Sequence, residues 1–173
     1  VYSTDSAFAA LLSDGSFVAW GDSSNGGTIG SSITGVQAVA ATSSAFAALK
    51  SDGSVVAWGT AGGTITGSDL DSDVVSLHAN NGAFAAIKSD GSVVTWGDSS
   101  YGGDTSDVSL AALLDGDASE EIMSISSSDN GFSALRADGS IVTWGGSVSD
   151  GLVTSDSTAV STAVVLADIS DKE

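Results

Sequence analysis

The sequence predicts an all-β protein, built from four tandem antiparallel repeats, on three observations. Four segments carry Phe and Trp 12 residues apart, an Asp-Gly-Ser triplet stands between the two aromatic residues of each, and the segments begin 38, 38 and 48 residues apart. The aromatic pairs are Phe8 and Trp20, Phe46 and Trp58, Phe84 and Trp96, and Phe132 and Trp144. Self-similarity at such a period is typical of repeat proteins.

Each repeat contains a predicted β-hairpin. In the third copy, Phe84–Ile87 and Val93–Trp96 flank Asp90-Gly91, and Asp-Gly favours a tight turn because both residues can take positive φ. A further apolar run precedes the hairpin, so a repeat has three or four strands. These leading runs are Val36–Ala40, Val74–His78 and Ile122–Ile125. One such sheet cannot bury its apolar side alone, which favours stacking.

One repeated stretch, Ala48–Gly59, resembles the signature of the regulator of chromosome condensation repeats. It reads Ala-Leu-Lys-Ser-Asp-Gly-Ser-Val-Val-Ala-Trp-Gly. The resemblance implies that each repeat is blade-like and that the whole fold is β-propeller-like. It also implies an alternative function as a monomeric protein-interaction module, since the best-known relative serves nucleotide exchange on a small GTPase and chromatin docking. The family's His at the start of the hairpin is replaced by Ala7, Ala45, Ala83 and Gly131.

The repeats divide a single domain, 1–173, at about 1–35, 36–73, 74–121 and 122–158, with a complementing C-terminal strand in 159–173. The first copy lacks most of its leading strand, whereas Ala163–Ile169 resembles a leading strand with no hairpin after it. The spare strand either completes the first repeat in the same molecule or pairs with a neighbouring one. The predicted assembly residues are Ala163, Val164, Val165, Leu166, Ala167 and Ile169 as donor and Phe8 and Leu11 as acceptor.

The composition is strongly acidic, with a net charge of −18 and four basic residues. Nucleic acids and anionic membranes bind through Lys and Arg, so neither is an expected partner. No apolar stretch reaches 18 residues, so no membrane insertion is expected. The first residue is Val1, which favours a processed product or a fragment. We expect an extracellular or cell-surface protein whose Ser/Thr-rich loops could carry O-linked glycans.

Two acidic groups resemble parts of calcium loops, although solvated acidic loops are the preferred interpretation. The Gly that a calcium loop needs after its third acidic position is replaced by Val74, and the second group is incomplete. The candidates are Asp69, Asp71 and Asp73, and Asp115, Asp117, Glu120 and Glu121. We therefore expect no cofactor unless it is Ca²⁺. Between the groups, Val108–Leu114 is predicted to form a short helix.

No arrangement of residues indicates catalysis. The Asp-Gly aspartates are interpreted as turn formers, the Trp residues as packing between blades, and His78 as a strand-end residue near solvent on the face of Val74 and Ser76. The predicted function is a non-enzymatic structural subunit that forms a homo-oligomer or filament by β-strand complementation. Deleting 159–173 should then abolish assembly.

Overall fold

The computed structural model describes residues 1–13, 16–30, 32–60, 70–104 and 121–146, and the backbone of 151–153. These residues form four antiparallel sheets, one per repeat, which confirms the predicted all-β, β-propeller-like architecture. The blades, numbered 1 to 4, consist of β1 (Tyr2–Ser3), β2 (Ala7–Leu11) and β3 (Phe17–Gly21); β4 (Val36–Ala41), β5 (Ala45–Lys50) and β6 (Val55–Gly59); β7 (Val74–Ala79), β8 (Ala83–Lys88) and β9 (Val93–Gly97); and β10 (Ile122–Ser127), β11 (Phe132–Arg136), β12 (Ile141–Trp144) and β13 (Gly151–Val153).

Blades 1 and 4, at the two ends of the stack, differ from the other blades in their strands. In blade 1, β1 pairs with β2 at two positions only, Tyr2 with Ala9 and Ser3 with Phe8, as the short leading run predicted. Blade 4 has a fourth strand, because Gly151–Val153 pairs with β12. The predicted donor strand Ala163–Ile169 and the predicted helix Val108–Leu114 lie outside the described residues.

The Phe–Trp spacing places the two aromatic rings of each hairpin directly opposite each other. Phe46 pairs with Trp58 across β5 and β6, and the other three hairpins keep the same register. The ring centroids of the four pairs lie 5.2–5.7 Å apart in stacked orientation. Cross-strand aromatic pairs stabilise a sheet beyond the area they bury.

The hairpin turn differs from the predicted tight turn. Lys50 N–H donates to the Ser54 carbonyl (2.9 Å) and Gly53 N–H to the Lys50 carbonyl (3.0 Å), which leaves a three-residue loop. Gly53 has φ of 79°, whereas Asp52 is not among the positive-φ residues. This is a type I turn closed by a left-handed Gly. The Asp52 carboxylate accepts from Ser54 N–H (3.0 Å) and Oγ (2.6 Å), which confirms its role as a turn former.

Two other turns repeat this geometry. The Asp90 carboxylate accepts from Ser92 N–H (3.0 Å) and Oγ (2.6 Å), and that of Asp138 from Ser140 N–H (2.8 Å) and Oγ (2.6 Å). These serine hydroxyls, with the backbone N–H groups, hold the pKa values of the carboxyls below their usual range. The first turn, with Asp14 and Gly15, lies outside the described residues.

Acid should weaken the fold through these turns. A carboxyl whose folded pKa lies below its ordinary value of 3.8 stabilises the fold above that pH, and this stabilisation is lost as pH falls through the folded pKa. Urea unfolding between about pH 5 and pH 2 should therefore show a shallower loss of stability for a variant with Asn at Asp52, Asp90 and Asp138. Asp71→Asn, outside the turns, should keep the wild-type slope. Equal slopes for all three proteins would contradict the expectation.

A β-bulge recurs in the leading strands of blades 2 to 4. The register shifts between Val74 and Ser76, and at the equivalent places in β4 and β10. As a result Val74 and Leu77 pack in the same core cluster. The sequence-based assignment of His78 to the face of Val74 was therefore wrong, because strict alternation fails across a bulge.

The hairpin turn of one blade contacts the first residues of the next. The Gly53 carbonyl accepts from Val74 N–H (3.0 Å), and a Cβ built on Gly53 would lie 2.8 Å from the Asp73 backbone nitrogen. Asp73 has φ of 67°, unusual for a residue with a side chain. At Gly139, the equivalent position in blade 4, a Cβ would meet nothing within 4 Å.

Gly53→Ala should destabilise the protein more than Gly139→Ala. Both glycines have positive φ, 79° and 85°, so both variants carry the same backbone penalty of about 1–2 kcal/mol. Only Gly53→Ala adds a clash with the next blade, which we expect to cost about 1–2 kcal/mol more, as overpacking does. Thermal unfolding measures the difference. An equal loss of stability in the two variants would show that the turn contact between blades does not stabilise the protein.

Candidate interaction surface on the first blade

The described blades pack on each other through two faces of different composition. The front face of a blade presents the Phe–Trp pair, and the rear face presents small residues. Between blades 2 and 3, Phe84 and Trp96 of the front face lie in one buried cluster with Ala45, Ala47 and Leu49 of the rear face. The contacts between blades 1 and 2, and between blades 3 and 4, are built in the same way. We call each such contact an interblade joint.

A line of backbone hydrogen bonds crosses all three joints, at the turn between the first and second strands of each blade. Asp5 N–H donates to the Ser43 carbonyl (2.9 Å), Ser43 N–H to the Asn81 carbonyl (3.0 Å) and Asn81 N–H to the Asp129 carbonyl (3.2 Å). These four residues occupy the same position in successive repeats, and we call the line the turn ladder. This ladder was not predicted from the sequence, although the repeat spacing alone identifies its members.

The Gly-rich turn after each Trp closes the joint from the other side where it is described. The Gly26 carbonyl accepts from Trp58 Nε1 (2.9 Å), and a Cβ on Gly26 would lie 2.7 Å from the Phe46 ring. Gly102 lies equally close to the next blade, since its Cβ would be 2.9 Å from Trp144 Cδ1. Gly is needed at these two positions because the backbone passes directly over the aromatic pair.

Blade 1 leaves its front face open. Phe8 and Trp20 are 46% and 47% exposed, whereas Phe46 and Phe84 are fully buried and Trp144 is 1% exposed. Val18, on the same face, is also exposed. The predicted packing role of the Trp residues is confirmed for Trp96 and Trp144, and Trp58 is half-buried. Trp20 instead lies on an exposed aromatic surface of the kind that marks interaction sites.

Blade 4 leaves its rear face open. Ser133 and Leu135 on β11 pair with Thr143 and Ile141 on β12, in the register that Ala85 and Ile87 keep in blade 3. Leu135 is 43% exposed, whereas Ile87 is 6% exposed at the equivalent position. The stack therefore presents one aromatic face and one small-residue face at its two ends.

The predicted acceptor residues lie on one strand but on opposite faces. Phe8 belongs to the open front face, while Leu11 alternates to the side of Ala7 and Ala9. β2 is the central strand of its sheet, paired along five positions with β3 and two with β1. Its remaining edge, at Ala10 and Leu11, has no strand partner among the described residues.

The calcium candidates divide between described and undescribed segments. Asp71, Asp73 and Glu121 are exposed, and Asp69, Asp115, Asp117 and Glu120 lie outside the described residues. Asp73 Oδ2 accepts from Ser72 Oγ (2.6 Å), and its carbonyl accepts from Ser89 N–H (2.7 Å). Within the described ranges no three His, Cys, Asp or Glu side chains are grouped to hold a metal ion.

His78 is half-buried near the end of β7. Its Nε2 lies 3.3 Å from Ser76 Oγ on the same strand face, and partial burial lowers the pKa of its imidazole. This is a local contact between neighbours two residues apart.

Among the described residues, no helix is long and apolar enough to cross a bilayer.

The comparisons with known proteins identify the fold. No family model and no curated protein matches the chain. Prp20p from Saccharomyces cerevisiae, the yeast RCC1, superposes with a TM-score of 0.57 at 20% identity over 82% of this chain and 43% of its own. Human WBSCR16 superposes with a TM-score of 0.56 at 17% identity, over 83% of this chain and 46% of its own. The ectodomain of the Arabidopsis thaliana receptor kinase ACR4 superposes with a TM-score of 0.53 at 17% identity, over 83% of this chain and 49% of its own.

The chain thus has the RCC1-like β-propeller fold that the repeat signature implied. It spans less than half the length of these solved structures. At such identities the likeness concerns the fold alone.

Proposed function

We propose that the chain is a non-enzymatic protein-interaction module whose binding surface is the open front face of blade 1. The observation that carries the proposal is the exposure of Phe8 and Trp20, when the same pair is covered by another blade at each following joint. Trp is one of the residues enriched in binding hot spots. Protein binding also occurs among its structural neighbours: yeast RCC1 was solved bound to Kap60, and Prp20p binds Gsp1p and histones.

Site-specific photo-crosslinking tests this proposal. A photoreactive phenylalanine analogue at Phe8 should give covalent protein adducts in the cells that make the protein. The same analogue at Val75, which is more exposed but lies away from the open face, should give few. Equal yields from both positions, or none from Phe8, would overturn the proposal. The adduct masses also report whether the partner is a second copy or another protein.

A structural, filament-forming role by strand donation is the second candidate. The edge of β2 at Ala10 and Leu11, which no described strand covers, supports it, since a strand edge needs a partner. Removing 159–173, which contains the predicted donor Ala163–Ile169, should abolish polymer formation in light scattering. Removing two acidic side chains of that segment by Asp168→Asn and Asp171→Asn, with the strand kept, should not. Polymers formed by the truncated chain would contradict strand donation.

A further inference from the structure

We infer that the partner of the open front face is the rear face of blade 4 on a second copy, so that copies join head-to-tail. This rests on the proposed function, since it names the partner of the same surface. The three joints inside the chain show what such a contact requires. A front face carries a Phe–Trp pair, and the rear face that receives it has small residues and an aliphatic residue next to them.

The rear face of blade 4 meets these requirements. Ser133 stands where blade 3 has Ala85, and Leu135 stands where blade 3 has Ile87. Thr143 matches Thr95, which shows that Thr fits at this position within a completed joint. The face is therefore small at the positions that lie under the aromatic rings and apolar beside them.

The backbone at the two ends is also complementary. Among the described residues, the turn ladder ends with the Asp129 N–H group at one side and the Asp5 carbonyl at the other. One is a donor and the other an acceptor, so a second copy placed head-to-tail extends the ladder in the same direction. Two identical ends placed face to face would not supply this pairing. The contact is therefore heterologous.

Cysteine crosslinking tests the arrangement directly, because the chain has no cysteine of its own. Asp5→Cys and Asp129→Cys chains would be mixed in 0.5 M NaCl, which screens repulsion between these acidic ends, and treated with a short bis-maleimide. We expect a covalent dimer from the mixture. The yield of dimer from either variant alone should be at least about tenfold lower, because a heterologous contact places position 5 of one copy next to position 129 of the other and not next to position 5. Ser43→Cys with Asn81→Cys in one chain is the positive control, since these residues share a ladder hydrogen bond.

Each other crosslinking pattern overturns the inference. Efficient dimers from Asp5→Cys alone would mean that two front faces meet. An internally linked monomer from the Asp5→Cys, Asp129→Cys double variant would mean that one chain closes on itself. Light scattering should give at least twice the 16.9 kDa chain mass. A chain that stays monomeric while Phe8 crosslinks to another protein would overturn this inference and leave the proposed function standing.

Charge variants provide a second test that does not depend on crosslinking. Trp20→Glu on the front face and Leu135→Glu on the rear face should each raise the dimer dissociation constant at least about 30-fold, as loss of a hot spot does. An equimolar mixture of the two variants retains one intact joint, so it should form more dimer than either variant alone. No recovery in the mixture would contradict head-to-tail pairing. Val75→Glu, away from both faces, should leave the dissociation constant unchanged.

Discussion

Phe84→Ala is expected to lower the free energy of unfolding by about 3–5 kcal/mol, the usual cost of emptying a buried Phe site. The Phe84 side chain is fully buried, its ring stacks on Trp96 at 5.2 Å, and it packs against the rear face of blade 2. The substitution removes the stack and opens a cavity in an interblade joint. Such a loss is a large part of the 5–15 kcal/mol that stabilises an ordinary domain. Urea unfolding followed by Trp fluorescence measures it.

The matched control is Phe8→Ala, at the same position of the repeat. Phe8 also stacks on its Trp, at 5.7 Å, but its other side is exposed. In monomeric protein we expect it to cost about 1 kcal/mol, close to the value of the aromatic pair alone. Similar losses in the two variants would show that burial between blades does not separate these residues. A large loss for Phe8→Ala that appears only at high protein concentration would instead report the contact between copies.

The sequence carried enough information to predict the repeats, the hairpins and the leading strands. Phe–Trp spacing and Asp-Gly-Ser turns act locally, so each repeat could be interpreted without its neighbours. It was harder to predict which face of the leading strand each residue lies on, because the bulge at Val75 interrupts the alternation on which the assignment of His78 depended. A signal was present, since Val74 and Leu77 are three residues apart, as are Val36 and Val39, where an unbroken strand would place its inward residues an even number apart.

The candidate surface could be predicted only in part. Phe8 was selected as an acceptor for a strand edge, yet its exposed ring belongs to a sheet face. Sequence alone shows four equivalent Phe–Trp pairs, and nothing in the residues distinguishes Trp20 from Trp144. The difference arises from order along the stack, because each front face is covered by the blade before it. Only the packing of the blades shows which pair is left uncovered.

Ala85→Leu is expected to destabilise the protein by about 1–3 kcal/mol, the usual cost of overpacking a core. Ala85 is fully buried on the rear face of blade 3, in the cluster that holds Phe132 and Trp144 of the next blade. The larger side chain has to displace that aromatic pair, which is itself held by its stack and by the turn at Gly102. Thermal or urea unfolding of the purified variant measures the loss.

Ser133→Leu is the matched control, since Ser133 occupies the same position on the open rear face of blade 4. In the monomer no described blade lies against this face, so we expect a change within about 0.5 kcal/mol, as for other surface substitutions. The same variant should weaken dimer formation, because the added side chain occupies the place of the partner's aromatic pair. Ala85→Leu should act on unfolding and Ser133→Leu on association. If Ala85→Leu proved as harmless to stability as Ser133→Leu, small residues would not be a requirement of the rear face, and the complementarity of the two end faces would lose its physical basis.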